Sequence, residues 1–376
     1  MDRNLASVQK IITLSPIEGA DRIEVARVLG WDCVVKKGDF KEGDLGVYVE
    51  VDSIVPDRPV FEFMKERKYR VKTVKLRGQI SSGLFLPITF FPEIHKPKEG
   101  VDVTKVLGIT KYDPPELGYS PNKSSSSKKK PWWFYIVVRI PFIRNLVLRK
   151  VGDGNAFPSH LVPKTDETRL QAFPADFLET YKDLKVSVSQ KMDGTSCTII
   201  WHKGKVSVAS RNVWFPTYHS NVYWNFVKDV PFKDFMKKGG DFAIQGELCG
   251  PGIQGNKYKL DEVHLFIFGV YDINTKEYLT PEQLKKYVGY LFLLGLGRKI
   301  HPVETLYRDV TIGSIGTTVE DWIKLATTKS KFNPDSWNEG IVIRSMDNKP
   351  YGVRGMNGRR FSLKIINPEF LLQYGL

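Results

Sequence analysis

The chain contains a stretch, residues 112–154, whose composition cannot build a hydrophobic core. It includes the proline pair Pro114-Pro115 and a serine- and lysine-rich run at 124–130. Such segments bury too little apolar surface to offset the entropy of folding, so we interpret this stretch as a linker. A chain of 376 residues also exceeds the size at which one core keeps growing. The sequence therefore predicts a domain at 1–111, a linker at 112–154 and a second domain at 155–376.

The residues before the linker carry the alternating pattern of short β-strands. Predicted strands, separated by turns with Gly or Asp, include Ala6–Ile12, Ile23–Val28, Cys33–Val35 and Gly46–Val51. A later stretch, Tyr69–Gly78, alternates apolar with basic residues. Together they predict a five-stranded OB-type β-barrel, a fold that often binds single strands or duplex backbones.

Three basic residues of the last stretch, Arg70, Lys72 and Lys75, are expected on or near one exposed face. Such a face suits the phosphates of a nucleic acid, which release counterions when cations contact them. The alternative is a solvated edge strand, because charged side chains also keep edge strands from pairing with other chains.

The charge balance of the whole chain indicates a polyanionic partner. With 56 Lys+Arg against 42 Asp+Glu, the formal net charge is +14, which favours nucleic acid over an acidic membrane surface. The three cysteines have no paired metal spacing, and the first residues lack the apolar core of a signal peptide. We expect a cytoplasmic, monomeric protein without stable membrane insertion.

An aromatic and basic segment, Pro131–Arg144, follows the serine- and lysine-rich run. It is too short and too charged to span a bilayer, which needs about 20 apolar residues. Three interpretations stay open: a segment packed across the domain junction, a partner-binding segment, and a surface that touches membrane.

Beyond the linker the pattern becomes mixed α and β. A turn at Lys203-Gly204 predicts a hairpin, and Thr280-Pro281 predicts the start of a helix. The charged stretch Pro163–Gln171 has a start that suits a helix cap. Further strands are predicted at Phe242–Leu248, His264–Asp272, Glu339–Arg344 and Phe361–Ile366. We therefore expect the second domain to be α+β.

One lysine of this domain, Lys191, stands where a strand is expected to stop. It follows the β-branched residues Val186 and Val188 and precedes Asp193-Gly194. A lysine there can point its amine into a cleft and act as a nucleophile if desolvation, neighbouring cations or a metal remove its proton. The alternative is a hairpin turn with a solvated lysine.

Six short motifs in a fixed order favour the nucleophile. They are Lys191-Met192-Asp193-Gly194, Ser210-Arg211-Asn212, Gly246-Glu247-Leu248, Phe266-Ile267-Phe268, Glu339-Gly340-Ile341-Val342 and Leu363-Lys364-Ile365. In this order they resemble the motifs of the covalent nucleotidyltransferases, the superfamily of ATP-dependent ligases and mRNA capping enzymes. An OB-like module before the lysine-bearing domain resembles the Deinococcus-type nick-sealing RNA ligases, whereas classical DNA ligases and capping enzymes carry their OB domain after it.

The resemblance implies a role for each motif residue. Lys191 would attack the α-phosphorus of ATP to give lysyl-AMP, and Lys364 would neutralise the α-phosphate. Glu339 would hold Mg²⁺ or Mn²⁺, mainly through water molecules. The other implied ATP-binding residues are Arg211 and Glu247 at the ribose and Phe268 against adenine, with Asp193, Gly194 and Ser196 as supporting motif residues.

Some of these residues also have a purely structural interpretation. Phe268 would then belong to a hydrophobic core, Glu247 to a turn, and Arg211 to a salt bridge with Asp193. The hypothesis that the motifs favour is an ATP-dependent RNA ligase that seals 3′-OH and 5′-phosphate ends, with RNA as its partner. The alternatives are a DNA ligase, a GTP-dependent capping enzyme, and a catalytically inactive nucleic-acid-binding protein.

Overall fold

The computed structural model describes residues 4–112, 156–230, 240–293, 296–351 and 360–376. The chain forms two compact units. The first comprises residues 1–114, 167–192 and 304–376, and the second comprises 115–166 and 193–303. The serine- and lysine-rich run and the segment Pro131–Arg144 lie outside the described residues.

The first unit begins with an N-terminal β-module. Its strands are β1 Ala6–Pro16, β2 Ile23–Val28, β3 Trp31–Lys36, β4 Leu45–Val49, β5 Ser53–Ile54, β6 Thr73–Leu76, β7 Gln79–Ser82, β8 Leu84–Pro87 and β9 Thr110–Lys111. It also contains two 3-10 helices, Pro59–Arg67 and Ile88–Phe90. Strands β3-β2-β1-β4-β8 form a five-stranded antiparallel sheet in that order. The expected OB-type architecture is therefore present.

Strand β1 is long because it pairs with two different strands. Residues Ala6–Lys10 pair with β4, whereas Ile11 and Thr13–Pro16 pair with β2. The register shifts between Ile11 and Thr13, so Ile12 is the extra residue of a β-bulge. Because a bulge bends its strand, β1 can run from one half of a curled sheet into the other.

The last sheet of the first unit carries the predicted nucleophile. It is formed by β10 Thr168–Arg169, β11 Lys185–Lys191, β19 Thr305–Thr311, β20 Gly340–Ser345 and β21 Ser362–Ile366, in the order β10-β21-β20-β11-β19. Helices α1 Phe177–Thr180, α4 Ile312–Ile315, α5 Val319–Ala326 and α6 Pro368–Tyr374 accompany it. A 3-10 helix, Leu170–Ala172, follows β10.

Alternation along these strands separates a buried face from the face that carries Lys191. Val188 in β11, Ile343 in β20 and Leu363 in β21 are fully buried and pack with Trp322 of α5. Because successive side chains of a strand point to opposite faces, Lys191 and Lys364 lie on the other face of the sheet.

Within the first unit, the N-terminal β-module packs directly on the sheet that carries Lys191. The carboxylate of Asp52 lies 2.7 Å from the guanidinium of Arg169 in β10. The backbone N–H of Gly30 donates to the carbonyl of Gln171 at 3.0 Å. The predicted division at 1–111, 112–154 and 155–376 stays a prediction, and these contacts explain why the module groups with the lysine-bearing sheet.

The second unit contains a seven-stranded sheet. Its strands are β12 Thr195–His202, β13 Lys205–Ala209, β14 Trp214–Phe215, β15 Phe242–Cys249, β16 His264–Asp272, β17 Glu277–Tyr278 and β18 Ile300–Pro302. The path is β14-β13-β12-β15-β16-β17, with β18 parallel to β16. The described part of this unit also contains helices α2 Val222–Asp229 and α3 Pro281–Leu293 and a 3-10 helix, Leu296–Arg298.

Two of the local predictions for this half of the chain are confirmed and one is wrong. The hairpin turns at Lys203-Gly204 between β12 and β13, and α3 begins at Pro281 with Thr280 Oγ1 accepting the N–H of Gln283. The stretch Pro163–Gln171 does not start an α-helix, because its residues 168–169 pair with β21 as a short parallel strand. No helix among the described residues is long and apolar enough to cross a membrane.

Candidate functional site

Lys191 is the last residue of β11 and is paired through its side chain with Glu339. Its ammonium nitrogen lies 2.7 Å from Oε1 and 2.8 Å from Oε2 of that carboxylate. The side chains of Lys191 and Glu339 are 23% and 14% exposed, so water screens the pair only partly. The register between β11 and β20 explains this ion pair, because Lys191 is directly opposite Gly340, the residue that follows Glu339.

Gly340, the first residue of β20, must be a glycine. Its φ angle is 151°, and a Cβ atom there would lie 2.1 Å from the carbonyl oxygen of Ile365 in β21. Any side chain would therefore force β20 and β21 apart. Because residue 340 is a glycine, β20 can start close to β21. The carboxylate of Glu339 then lies at the start of β20.

Lys364 lies on the same face of this sheet as Lys191. In β21 it is opposite Val342 of β20, which is itself opposite Ser189 of β11. Directly opposed residues share a face, as do residues two apart in a strand. The structure therefore brings together Lys191, Glu339 and Lys364, the three predicted catalytic residues.

A buried ion pair in this part of the sheet was not among the predicted site residues. The guanidinium Nη2 of Arg344 in β20 lies 2.7 Å from Oε1 of Glu167, and their side chains are only 10% and 15% exposed. Burial raises the pKa of Glu167, but the positive charges of Arg344, Lys364 and Lys191 together hold that pKa below its ordinary value. An arginine inside the apolar run of β20 was the sequence signal for this pair.

In the second unit, the Asp-Gly pair of the lysine motif is fixed against β15. A Cβ atom on Gly194 would lie 2.2 Å from the carbonyl oxygen of Leu248 and 2.7 Å from Sγ of Cys249. The carboxylate of Asp193 forms an ion pair with Lys257, a residue that the sequence analysis did not single out. The backbone N–H of Asp193 donates to the hydroxyl of Tyr258 at 2.8 Å.

Glu247 is a strand residue rather than a turn residue. It lies in β15, opposite Ser196 of β12 on one side and Phe266 of β16 on the other. The supporting residue Ser196 and the predicted ribose contact are therefore cross-strand neighbours, and both are half-buried.

Phe268 occupies an irregular position in β16. Gly246 is opposite Ile267 and Gln245 is opposite Gly269, so Phe268 is the extra residue of a β-bulge. Phe266 is 3% exposed and belongs to the interior, whereas Phe268 is half-buried. Bulges are frequent beside active sites because they re-aim a side chain, which suits the predicted adenine contact better than a core position.

Arg211 follows β13 and does not pair with Asp193. Its Nη2 atom lies 2.7 Å from Oδ1 of Asp166, and the two side chains are 41% and 50% exposed. This exposed pair leaves the guanidinium accessible to a ligand. The structural alternative of a salt bridge with Asp193 is wrong, because the ion-pair partner of Arg211 is Asp166.

Arg70, Lys72 and Lys75 were predicted to lie on or near one exposed face, and for Arg70 this prediction is wrong. Its side chain is 13% exposed, lies 3.3 Å from Asp52, and stacks at 3.6 Å on the ring of Tyr112. Lys72 donates to the carbonyl of Gly375 at 2.6 Å, and partial burial together with the charge of Arg70 lowers its pKa. Of these three basic residues, only Lys75, in β6, is classed as exposed.

The donor set suits a divalent ion that is held largely by water and phosphate oxygens. Among the residues that the structure describes, no group of three or more His, Cys, Asp or Glu side chains could hold a metal ion. Glu339 supplies one carboxylate, the hard oxygen ligand that Mg²⁺ and Mn²⁺ prefer. The residues are therefore compatible with the expected metal, and Glu339 is the candidate protein contact for it.

An OB-type module ahead of an α+β domain with a lysine–carboxylate pair defines a nucleotidyltransferase-type ligase architecture. Comparison with known proteins gives the same result. An OB-fold domain model matches residues 5–88, and the RNA ligase family model matches residues 184–366. A search of curated proteins found no match.

Among solved structures, the Naegleria gruberi RNA ligase with PPi is similar to the whole chain. It is 31% identical, with a TM-score of 0.77 over 98% of this chain and 98% of that chain. A mutant of that ligase with ATP and Mn is 30% identical, with a TM-score of 0.77 and 98% coverage of both chains. The chain thus belongs to the RNA ligase family. The expected enzyme class, the OB-type module and the α+β domain are confirmed, and RNA is the substrate class.

Proposed function

We propose that this enzyme is an ATP-dependent RNA ligase that seals 3′-OH and 5′-phosphate ends at nicks in duplexes, acting as a cytoplasmic monomer. The observation that carries the proposal is the Lys191–Glu339 pair at 2.7 Å on the sheet face that also bears Lys364. Structures of the Naegleria ligase with ATP and Mn, and with AMP and Mn, support ATP and a divalent metal as cofactors. The three cysteines are buried and free, which supports a reducing compartment.

Lys191 is proposed to attack the α-phosphorus of ATP, forming an N–P bond as the bond to pyrophosphate breaks. An ammonium bonded to a carboxylate is stabilised in its charged form, so Lys191 must leave Glu339 and lose a proton before it attacks. Glu339 would hold a divalent metal, which would supply positive charge that offsets the negative charge of the phosphates. Lys364 would contribute positive charge at the α-phosphate.

The joining steps follow from the covalent intermediate. AMP would pass from Lys191 to the RNA 5′-phosphate, and the 3′-OH would then displace AMP to form the phosphodiester. We assign ribose contacts to Arg211 and Glu247 and adenine stacking to Phe268, with Asp193, Gly194 and Ser196 as supporting residues. The half-buried position of Phe268 in a bulge supports its assignment. For RNA binding we retain Lys75 and Lys72, whereas the contacts of Arg70 assign it to a structural role.

The test is transfer of label from α-labelled ATP, read by denaturing electrophoresis. The wild-type protein with Mn²⁺ should acquire an acid-labile, alkali-stable label, and Lys191→Met should acquire none. Lys185→Met, which changes an exposed lysine at the other end of the same strand, is the matched control and should label normally. Preferential labelling by GTP would instead indicate a capping-type enzyme.

Nick sealing is tested with duplexes that differ only in the sugars beside the nick. An enzyme that reads RNA should require ribonucleotides on the 3′-OH side, because the 2′-OH is the local chemical difference between RNA and DNA. We expect RNA-ended nicks to be sealed well and all-DNA nicks poorly. Equal sealing of both would contradict specificity for RNA ends.

A further inference from the structure

We propose that Asn367 is a positioning residue for lysine adenylation, which holds the backbone at Glu339 so that this carboxylate stays beside the amine of Lys191. The inference rests on the proposed lysyl-AMP chemistry and concerns the first unit alone. Asn367 directly follows β21 and is 0% exposed. It lies three residues after Lys364, outside the motifs that the sequence analysis selected.

Asn367 holds the backbone on both sides of the Glu339 side chain. Its backbone N–H donates to the carbonyl of Glu339 at 2.9 Å, and its side-chain Nδ2 donates to the carbonyl of Asn338 at 3.0 Å. These two carbonyls belong to the peptide groups that flank the Cα atom of Glu339. Fixing both peptide groups fixes φ and ψ at Glu339, and with them the direction in which its side chain leaves the backbone.

Two further buried amides support this arrangement. Gln190 of β11 is 6% exposed, and its Nε2 donates to the carbonyl of Gly340 at 3.0 Å. Asn338 is 7% exposed, and its Nδ2 donates to the carbonyl of Lys329 at 2.9 Å. Because buried polar groups that lose their hydrogen bonds cost free energy, a displaced backbone at Glu339 would be unfavourable at several atoms at once. The carboxylate therefore has a defined direction before ATP binds.

An asparagine suits this position because its side chain donates on one side and accepts on the other. While Nδ2 is used on Asn338, Oδ1 accepts the N–H of Glu369 at 2.9 Å and so caps α6. An ionised aspartate keeps the acceptor but has no donor, and a serine caps a helix well but is too short to reach the second carbonyl. Either substitution thus removes the hold on Asn338 and retains the helix cap.

A misdirected Glu339 should affect the chemical step more than ATP binding. Its carboxylate lies 2.7 Å from the amine of Lys191, the group that would react, whereas the assigned base and ribose contacts come from other residues. A displacement of about 1 Å near reacting groups can lower a rate by up to about a hundredfold. Loss of one of the two hydrogen bonds from Asn367 should therefore lower the maximal rate of lysyl-AMP formation about tenfold.

The test measures lysyl-AMP formation in single turnovers as a function of ATP concentration. Asn367→Ser and Asn367→Asp should both lower the maximal rate about tenfold and change the ATP concentration at half-maximal rate less than about threefold. Serine is neutral and aspartate has the size of asparagine, so an effect common to both reports the lost amide donor. The control is Asn221→Ser, because Asn221 is 6% exposed and caps α2 through the N–H of Trp224. It should label as wild type.

A double-mutant cycle identifies the residue through which Asn367 acts. In a Glu339→Gln background, Asn367→Ser should lower the maximal rate no further, because the amide acts through that carboxylate. Amide hydrogen exchange gives a second readout that needs no ATP. The amide of Asn367, which donates to Glu339, should exchange faster in both Asn367 variants than in wild type. Melting temperatures show which variants are folded, and Asn367→Asp keeps the test informative if the serine variant unfolds.

Three outcomes would overturn the inference. They are folded Asn367 variants that label at the wild-type rate, a loss confined to the ATP concentration at half-maximal rate, and an equal loss with and without Glu339→Gln. The last would mean that Asn367 acts independently of that carboxylate. A wild-type protein that acquires no AMP would instead contradict the proposed function, and hydrogen exchange would still test whether Asn367 holds the backbone at Glu339.

Discussion

The ion pairs Lys191–Glu339 and Lys257–Asp193 each contain one residue of the lysine motif, and they are built differently. Lys191 and Glu339 meet because adjacent strands β11 and β20 place them at one end of a sheet. Lys257 and Asp193 meet because a loop with several positive φ angles folds onto the Asp-Gly turn. In a pair at strand ends, sheet pairing holds the backbone, so a change of partner requires only rotation of the side chains. In the Lys257–Asp193 pair, the positive φ angles of the loop restrict the backbone, so Lys257 is suited to be a fixed counter-charge for the carboxylate of Asp193.

The largest expected effect comes from the strand-end pair. Glu339→Gln removes the negative charge next to Lys191 but keeps the side-chain shape, so the maximal rate of lysyl-AMP formation should fall about a hundredfold. Single-turnover labelling at saturating ATP measures this. Glu304→Gln, which changes a more exposed glutamate paired with Lys331, is the control and should leave the rate unchanged.

The expected order is contradicted if Glu339→Gln lowers the maximal rate of lysyl-AMP formation less than Lys257→Met does. The loop pair would then contribute more to the chemical step than the strand-end pair.

The second effect is on stability. Arg344→Met leaves the buried carboxylate of Glu167 without its partner and should lower the free energy of unfolding by about 3–5 kcal/mol. Urea unfolding measures the loss. Lys182→Met, which breaks an exposed pair with Glu179, should remain close to wild type. An Arg344→Met protein as stable as wild type would contradict a structural role for the pair.

The same pair predicts a pH dependence. Since the folded protein lowers the pKa of Glu167, its contribution to stability is present above the unfolded pKa of about 4.3 and is lost as the pH falls through the lower folded value. The stability difference between wild type and Glu167→Gln should therefore shrink as the pH decreases below 4.3. A difference that stays constant from neutral pH to below that range would contradict the assignment.

Gly194→Ala should give an intermediate loss of stability. Its Cβ atom would lie 2.2 Å from the carbonyl oxygen of Leu248, so the strand must shift, at a cost of about 1–3 kcal/mol. Gly204→Ala is the control. It lies at a positive φ of 72° with nothing within 4 Å of the added atom, so only backbone strain of about 1 kcal/mol is expected. Equal losses would show that the close approach is unimportant.

The smallest effect is expected on RNA binding by the β-module. Lys75→Gln should weaken RNA binding modestly and reduce the salt slope of affinity by about one. Arg70→Gln should instead lower stability, because its guanidinium lies against Asp52 and Tyr112. Binding titrations at several salt concentrations distinguish the two, and an unchanged slope for Lys75→Gln would remove that residue from the proposed RNA contacts.

Strand alternation and motif order together predicted the strands that carry Lys191, Glu339 and Lys364, and the structure brings these three residues together in one sheet. Lys191, Glu339 and Lys364 follow from apolar runs that end or are interrupted by a charge. Arg70 was misplaced because alternation in the sequence begins before the strand does. Lys68 and Tyr69 have φ angles of 52° and 58°, and β6 starts only at Thr73. A pattern of side chains cannot show where the backbone leaves the extended conformation.

The loop pair and the bulge were not predictable for a related reason. Lys257 lies in residues 250–260, where no periodic pattern indicates which side chain turns inward. Phe268 lies in a bulge that depends on the register between β15 and β16, and register is set by pairing between distant segments. The sequence indicated the position of Glu167 only indirectly, through the charged residue Arg344 inside the apolar strand β20.

The most direct test of the account is to locate the adenylate on the protein. Wild type incubated with ATP and Mn²⁺ is digested under alkaline conditions, and tandem mass spectrometry identifies the modified peptide. We predict AMP on Lys191 and on no other lysine, because the side chain of Lys191 is only 23% exposed and its amine lies beside the Glu339 carboxylate on the face that bears Lys364. AMP on Lys257, on Lys364 or on a scatter of surface lysines would contradict the central claim.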